Sequence, residues 1–218
     1  MSKKGIFITF EGCEGSGKTT LLSMISAYLK EKDIKAIVTR EPGGTRIGEQ
    51  TRATILENKN MNVFCEVALF AAARKQHCCE VIEPALRENK LVLCDRYIDS
   101  NLAYQGYAGG VGIEKVLKIN NELNNLMPNI TFFLDLPPEK GLARINKENR
   151  EKNRLDEKEL TFHQKVYQYY KMIAEKESDR VIRIDANQTT EKVFLDVLSI
   201  LKKLILVQTE NIEKGGKN

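Results

Sequence analysis

Eight residues restrict this chain more than any others. Gly12-Cys13-Glu14-Gly15-Ser16-Gly17-Lys18-Thr19 fits G-x-x-x-x-G-K-[ST] without a gap. The apolar run Gly5-Ile6-Phe7-Ile8-Thr9-Phe10 comes just before it, and Leu21, Leu22, Ile25, Tyr28 and Leu29 follow at helical spacing. A strand that turns through glycines into a helix points several backbone N–H groups inward, at the positive end of the helix dipole. Such a turn binds phosphate. Gly12, Cys13, Glu14, Gly15, Ser16, Gly17, Lys18, Thr19 and Thr20 are therefore the expected donor-nucleotide residues, with Lys18 on the β- and γ-phosphates and Thr19 on Mg2+. Asp95, directly after Leu91-Val92-Leu93-Cys94, is the expected second metal-side group.

The remainder of the chain alternates strand and helix. Ile34 to Thr39, Leu91 to Cys94, Ile130 to Asp135 and Val181 to Asp185 read as four more strands, short and apolar on both faces. Helices are predicted over Phe64 to Glu88, Leu160 to Glu177 and a last segment carrying Phe194, Val197, Leu198, Leu201, Leu204 and Ile205. The predicted architecture is an α/β fold with a five-stranded parallel sheet covered by helices on both faces. The 218 residues suit one domain, 1–208, followed by a polar tail over 209–218.

A net charge of +4 is too small to announce a nucleic-acid binder. No signal core follows Met1 and no apolar run is long enough to span a bilayer, so no membrane role and a cytoplasmic location are expected. The five cysteines (Cys13, Cys65, Cys78, Cys79 and Cys94) lack a paired zinc-ligand spacing and read as reduced, mostly buried thiols.

Two features select among phosphate-loop proteins. No Asn-Lys pair is followed by the Asp of a guanine-reading Asn-Lys-x-Asp, which argues against a GTPase switch. Arginines are scattered: Arg40, Arg52, Arg74, Arg96, Arg144, Arg150 and Arg154. An enzyme that joins two phosphate esters needs cations on both. Arg40 and Arg96 stand out because each ends a core strand. The segment from Asn146 to Lys158 is dense in charge and reads either as a solvated helix end or as a mobile lid.

Four stretches resemble one family, the thymidylate kinases. They are Phe10-Glu11-Gly12-Cys13-Glu14-Gly15-Ser16-Gly17-Lys18-Thr19-Thr20, Thr39-Arg40-Glu41-Pro42-Gly43-Gly44-Thr45, Asp95-Arg96-Tyr97-Ile98-Asp99-Ser100 with Ala103-Tyr104-Gln105-Gly106, and Asn153-Arg154-Leu155-Asp156. The resemblance implies a P-loop NTPase fold with a small helical lid at about 144–157. It implies transfer of a phosphate from MgATP to dTMP, by a homodimer. Phe70 would stack on thymine, Arg74 would bond a thymine carbonyl, and Ser100 and Gln105 would lie near the N3 edge. Arg52 and Arg96 would hold the acceptor phosphate, and Glu14 would sit near the sugar 3′-hydroxyl. Glu41 and Tyr104 complete the acceptor side. Arg144 would lie against adenine, bordered by Asp185-Ala186-Asn187-Gln188. One branch of the family carries an Asp-Arg pair in the loop. Here the pair is Glu14-Gly15, so the catalytic cation is expected from lid residues Arg150 and Arg154. Gly109 stands where bacterial relatives usually have an arginine. A kinase for another monophosphate, such as dUMP, and a nucleotide-binding regulator are the alternatives; a methyl group alone discriminates by only about 1–3 kcal/mol.

Overall fold

The computed structural model describes residues 5–58, 60–123, 126–147, 155 and 157–214, with side chains through residue 206. In chain order the elements are β1 (Phe7–Glu11), α1 (Lys18–Glu31), β2 (Ala36–Arg40), α2 (Arg46–Glu57), α3 (Val63–His77), α4 (Glu83–Arg87), β3 (Leu91–Asp95), α5 (Ile98–Asn101), α6 (Ile113–Leu123), β4 (Ile130–Asp135), α7 (Pro138–Lys147), α8 (Leu160–Lys176), β5 (Val181–Asp185) and α9 (Thr190–Lys214). Two π-helical segments, Cys78–Ile82 and Leu102–Ala108, join α3 to α4 and extend α5.

The five strands form one parallel sheet in the order β2-β3-β1-β4-β5. Side chains alternate across it, so each face has its own core. On one face Ile8, Phe10, Leu93, Phe132 and Leu134 pack against Leu21, Leu22 and Ile25 of α1 and Val197 and Leu201 of α9. On the other, Phe7, Val92, Cys94 and Phe133 pack against Val67 of α3, Val116 of α6 and Val166, Tyr170 and Ile173 of α8. This is the predicted architecture. Adjacent strands β1 and β3 send their chains in opposite directions, β1 toward β2 and β3 toward β4. A crevice therefore opens beyond their carboxyl ends, the usual ligand site of such sheets.

The predicted boundaries shift in places. β1 begins at Phe7 and takes in Glu11, and β2 runs from Ala36 to Arg40. The helix expected over Phe64 to Glu88 is broken into α3, a π-helical turn and α4. The reason is Pro84: its ring would clash with the carbonyl four residues back, and the wider turn over Cys78–Ile82 gives room. Helix α9 continues to Lys214, past Thr209 where a polar tail was expected. Most of the proposed lid, 148–154 with 156, lies outside the described residues.

Candidate active site

The crevice is a cleft of about 730 Å³, lined on one side by Glu14 to Thr20 and on the other by Phe70, Arg74 and Gln105. Its phosphate end is built by the turn between β1 and α1. Gly15 lies at φ +69, and a Cβ there would come within 2.2 Å of the Gly141 carbonyl oxygen of α7. The loop and α7 therefore touch backbone to backbone. Lys18 is folded into the loop, donating to the carbonyls of Gly12 and Cys13 at 3.0 Å each and to Ser16 Oγ at 3.2 Å.

Burial, reinforced by the nearby charge of Arg96, pushes the Lys18 ammonium down to about 8. Phosphate should raise it again. Nucleotide affinity should accordingly be constant below about pH 8 and fall above it, by roughly tenfold at pH 9. Calorimetric titration with ADP at pH 8.5 in two buffers of different ionisation heat should show proton uptake. Identical heats, with affinity flat to pH 9, would contradict it.

Thr19 donates to Asp95 Oδ2 at 3.2 Å. Asp95 Oδ1 is buried and has no hydrogen-bond partner among the described residues. An unsatisfied carboxylate oxygen beside a hydroxyl suits Mg2+, which takes few protein ligands and completes its shell with water and phosphate. Among the described residues no cluster of three or more His, Cys, Asp or Glu side chains forms a closed metal cage.

Arg96 adopts φ +66, a left-handed backbone that a long side chain occupies only when its surroundings hold it there. Its Nη1 donates to Ser100 Oγ at 3.0 Å, its Nη2 to Glu14 Oε1 at 3.0 Å, and the guanidinium lies 5.0 Å over the Tyr104 ring. Tyr104 Oη is 2.7 Å from both Glu14 oxygens, and His163 Nδ1 of α8 is 3.3 Å from Oε2. Burial alone would push Glu14 up. Arg96, the hydrogen bond from His163 and Lys18 outweigh it and hold this carboxylate well below the usual range. Glu11, fully buried, accepts from the Tyr97 and Ser100 N–H groups at 2.7 and 3.3 Å and from the Ser100 and Tyr170 hydroxyls at 2.6 and 2.8 Å. It thus fixes the turn that presents Arg96.

Two capped helices bring the remaining residues in. Thr45 Oγ1 accepts from Gly48 N at 3.0 Å and starts α2, which carries Arg52 to the cleft. Asn62 Oδ1 accepts from Phe64 N at 2.9 Å and starts α3. On α3, Glu66, Phe70, Arg74 and His77 fall on one face at helical spacing. Arg74 is 2% exposed; its Nε donates to Glu41 Oε2 at 2.7 Å, and Nη1 donates to Asn120 Oδ1. Glu41 lines the cleft with its other oxygen 3.0 Å from His77 Nδ1.

The structure thus gathers Glu14, Lys18, Thr19, Glu41, Arg52, Phe70, Arg74, Asp95, Arg96, Ser100, Tyr104 and Gln105 around one cleft. Gly12 and Cys13 contribute backbone; burial, with the charge of Glu14 beside it, pushes the Cys13 thiol up to about 12. Arg144 stands outside the cleft, with Nη1 3.5 Å from Gly15 O and Nη2 3.2 Å from Ala186 O, so it bridges the loop and the segment after β5. Arg150 and Arg154 lie outside the described residues. Two cysteines depart from the expected burial: Cys65 and Cys79 are exposed, while Cys13, Cys78 and Cys94 are buried, and none of the five is in a disulfide. At Gly109, a Cβ would come within 2.8 Å of the Tyr104 and Gln105 carbonyl oxygens, so a side chain there requires the turn to shift.

Sequence reasoning missed Glu11, Glu66, His77, Asn101, Asn120, His163 and Tyr170. One signal was available for the histidines: they are the chain's only two.

A family model described as thymidylate kinase matches residues 10–197. The thymidylate kinase of Clostridium novyi (strain NT) is 51% identical over 203 residues, 91% of this chain and 99% of the relative. That of Bacillus anthracis (strain CDC 684 / NRRL 3495) is 47% identical over 208 residues, covering 93% and 100%. The crystal structure of thymidylate kinase from Ehrlichia chaffeensis superposes with a TM-score of 0.73 at 32% identity, over 90% of this chain and 98% of that one. With a matching family model over most of its length and close relatives aligned end to end, this chain belongs to the thymidylate kinase family.

Proposed function

We propose that the chain transfers the γ-phosphate of MgATP to the 5′-phosphate of dTMP, with the two nucleotides meeting over the loop at Gly12 to Thr19. As a member of its family it is an ATP-dependent nucleoside monophosphate kinase that forms dTDP and ADP. One observation supports the division of labour best: a single cleft runs from the phosphate loop to the buried arginine Arg74. Backbone N–H groups and Lys18 hold the donor phosphates. Arg96, with Arg52 beside it, holds the acceptor phosphate, and Glu14 receives the sugar. Phe70 covers one face of the base, and Arg74 donates to its carbonyl. Thr19 and Asp95 would hold Mg2+, which when bound neutralises charge on the β- and γ-phosphates. Catalysis is then positional and electrostatic, because phosphoryl transfer asks little covalent chemistry of the protein.

ADP release from MgATP should be fastest with dTMP among dTMP, dUMP, dGMP, CMP, UMP, AMP and GMP. Arg74→Ala should weaken dTMP selectively; an equal loss for every acceptor would remove Arg74 from base reading. A different preferred acceptor would keep the phosphate chemistry and overturn the base pocket.

We assign the remaining cation to Arg150 and Arg154. Helix α7 supports this, since it touches the phosphate loop at Gly141 and ends at Lys147, three residues before Arg150 in the sequence. Arg150→Ala or Arg154→Ala should lower turnover by roughly 10³-fold while changing the ATP KM little, by analogy with arginine fingers. Steady-state kinetics on both variants checks it, and wild-type turnover in both would sink the assignment. We also propose a homodimer and a cytoplasmic location. Exposed Phe64 on α3 and Leu123 on α6 offer apolar surface for a second copy. Among the described residues no helix is long and apolar enough to cross a membrane.

A further inference from the structure

A chain of buried amides leads away from the base end of the cleft, and every link has a defined direction. Gln105 Nε2 donates to Glu66 Oε2 at 3.0 Å. Asn101 Nδ2 donates to Gln105 Oε1 at 3.0 Å. Asn120 Nδ2 donates to Asn101 Oδ1 at 3.1 Å and to the Val116 carbonyl at 2.8 Å. Arg74 Nη1 donates to Asn120 Oδ1. Glu66, Arg74, Asn101, Gln105 and Asn120 are each 7% exposed or less.

Amides can be turned over, and an isolated Gln offers either an oxygen or an NH2 to a ligand. These cannot. The Glu66 carboxylate only accepts, the Arg74 guanidinium only donates, and the Val116 carbonyl only accepts. Between those ends one orientation of Asn120, Asn101 and Gln105 satisfies every bond. Turning any amide over sets two acceptors or two donors face to face, at a penalty that burial makes large.

We infer that Glu66 and Asn101 are specificity-determining positioning residues that lock the Gln105 carbonyl oxygen, rather than its NH2, in place beside Arg74. Arg74, Asn101 and Gln105 line the cleft, and neither Glu66 nor Asn120 does. The locked pair is an acceptor next to a donor-only cation. A pyrimidine with a ring N3–H and a 4-carbonyl matches that pair. A 4-amino pyrimidine, with a bare N3 and an NH2, opposes it at both points. The cleft therefore rejects cytosine nucleotides through an amide chain anchored on Glu66 and Asn120, which lie outside it. The inference rests on the reading that Arg74 and Gln105 face the base.

A charge-conserving exchange tests it. In Asn101→Asp, Gln105 lies between two carboxylates and one link must fail, so melting temperature should fall and the dTMP KM should rise. In the double variant Glu66→Gln/Asn101→Asp, every link is satisfied again, with Gln105 turned over. Its melting temperature and kcat should return toward wild type. Its dTMP KM should remain about 10- to 100-fold raised, and its ratio of kcat/KM for dTMP over dCMP should fall by a similar factor. Glu66→Gln alone, in which Gln105 is free to keep its orientation, should fall between. Restored stability together with wild-type dTMP KM and selectivity would overturn the inference. Arg74→Ala, assayed alongside, separates the two levels. If it weakens dTMP selectively while the double variant behaves as wild type, the lock fails and the base pocket stands. If it affects all acceptors alike, the base pocket itself is wrong.

Discussion

Arg96→Met should lower kcat/KM for dTMP by about 10³-fold or more and destabilise the protein at the same time. The catalytic loss follows from removing a fixed cation where charge develops, an effect worth about 10²- to 10³-fold for one neutral donor and more for a guanidinium. The stability loss has a separate origin. Arg96 is the leading counter-charge that holds Glu14 ionised in a buried position. Methionine fills much of the same volume but leaves that carboxylate to Tyr104, His163 and Lys18. Breaking a buried pair from one side typically costs about 3–5 kcal/mol. The pH dependence identifies the cause. A carboxylate depressed in the folded state adds stability above its unfolded pKa, about 4.5, and loses it as pH falls toward the folded value. Wild type and variant should thus differ most near neutrality and converge on the acid side. Urea unfolding at pH 7.5 and at about pH 3, inside that window, measures this. An equal gap at both would mean that Glu14 is not the group left exposed to the loss.

Gly15→Arg should be at least 100-fold slower than wild type, although it places a cation in the phosphate loop. Related enzymes with an Asp-Arg pair at this position take their catalytic charge from the loop, so the substitution looks like a gain. The packing forbids it. Gly15 is left-handed, which costs a residue with a Cβ about 1–2 kcal/mol. Its Cβ would also lie 2.2 Å from the Gly141 carbonyl oxygen, and backbone cannot swing aside as a side-chain tip can. Either the loop or α7 must move, and a displacement near 1 Å at a reacting centre is enough for about 100-fold. Gly15→Ala separates shape from charge, because it carries the same Cβ without the cation. Both variants should show a raised ATP KM and lowered turnover. Wild-type turnover in Gly15→Arg would show that the contact with α7 yields.

The sheet and the phosphate end were readable because their signals are local. β1, the glycine turn and α1 occupy one continuous stretch, and Asp95 and Arg96 follow directly from a short apolar run. Phe70 and Arg74 are four apart, so their shared face on α3 follows from the helical repeat. The polar network was not readable, for the opposite reason. Asn120 meets Arg74 across 46 positions, and Glu11 meets Tyr170 across 159. Periodicity says nothing about such pairs. An Asn in an amphipathic helix also looks like an ordinary polar residue until a guanidinium is found against it. Glu11 could have been suspected, since a carboxylate at the end of a buried strand needs partners. The break near Pro84 was foreseeable as a break, but not as a π-helical turn.

The turn over Leu102–Ala108 has an evolutionary consequence. A π-helical segment accommodates one more residue than an α-helix of the same height, and it persists only while something rewards the bulge. Here Tyr104 reaches Glu14 while its direct neighbour Gln105 reaches Glu66 and Asn101. Removing one residue would return the segment to α geometry and rotate one neighbour away by about 100°. Point substitutions in this helix can be absorbed one contact at a time. A single-codon deletion would part the Tyr104–Glu14 contact from the Gln105–Glu66 contact in one step, so relatives that bind the same acceptor should vary in letters across 102–108 but not in length.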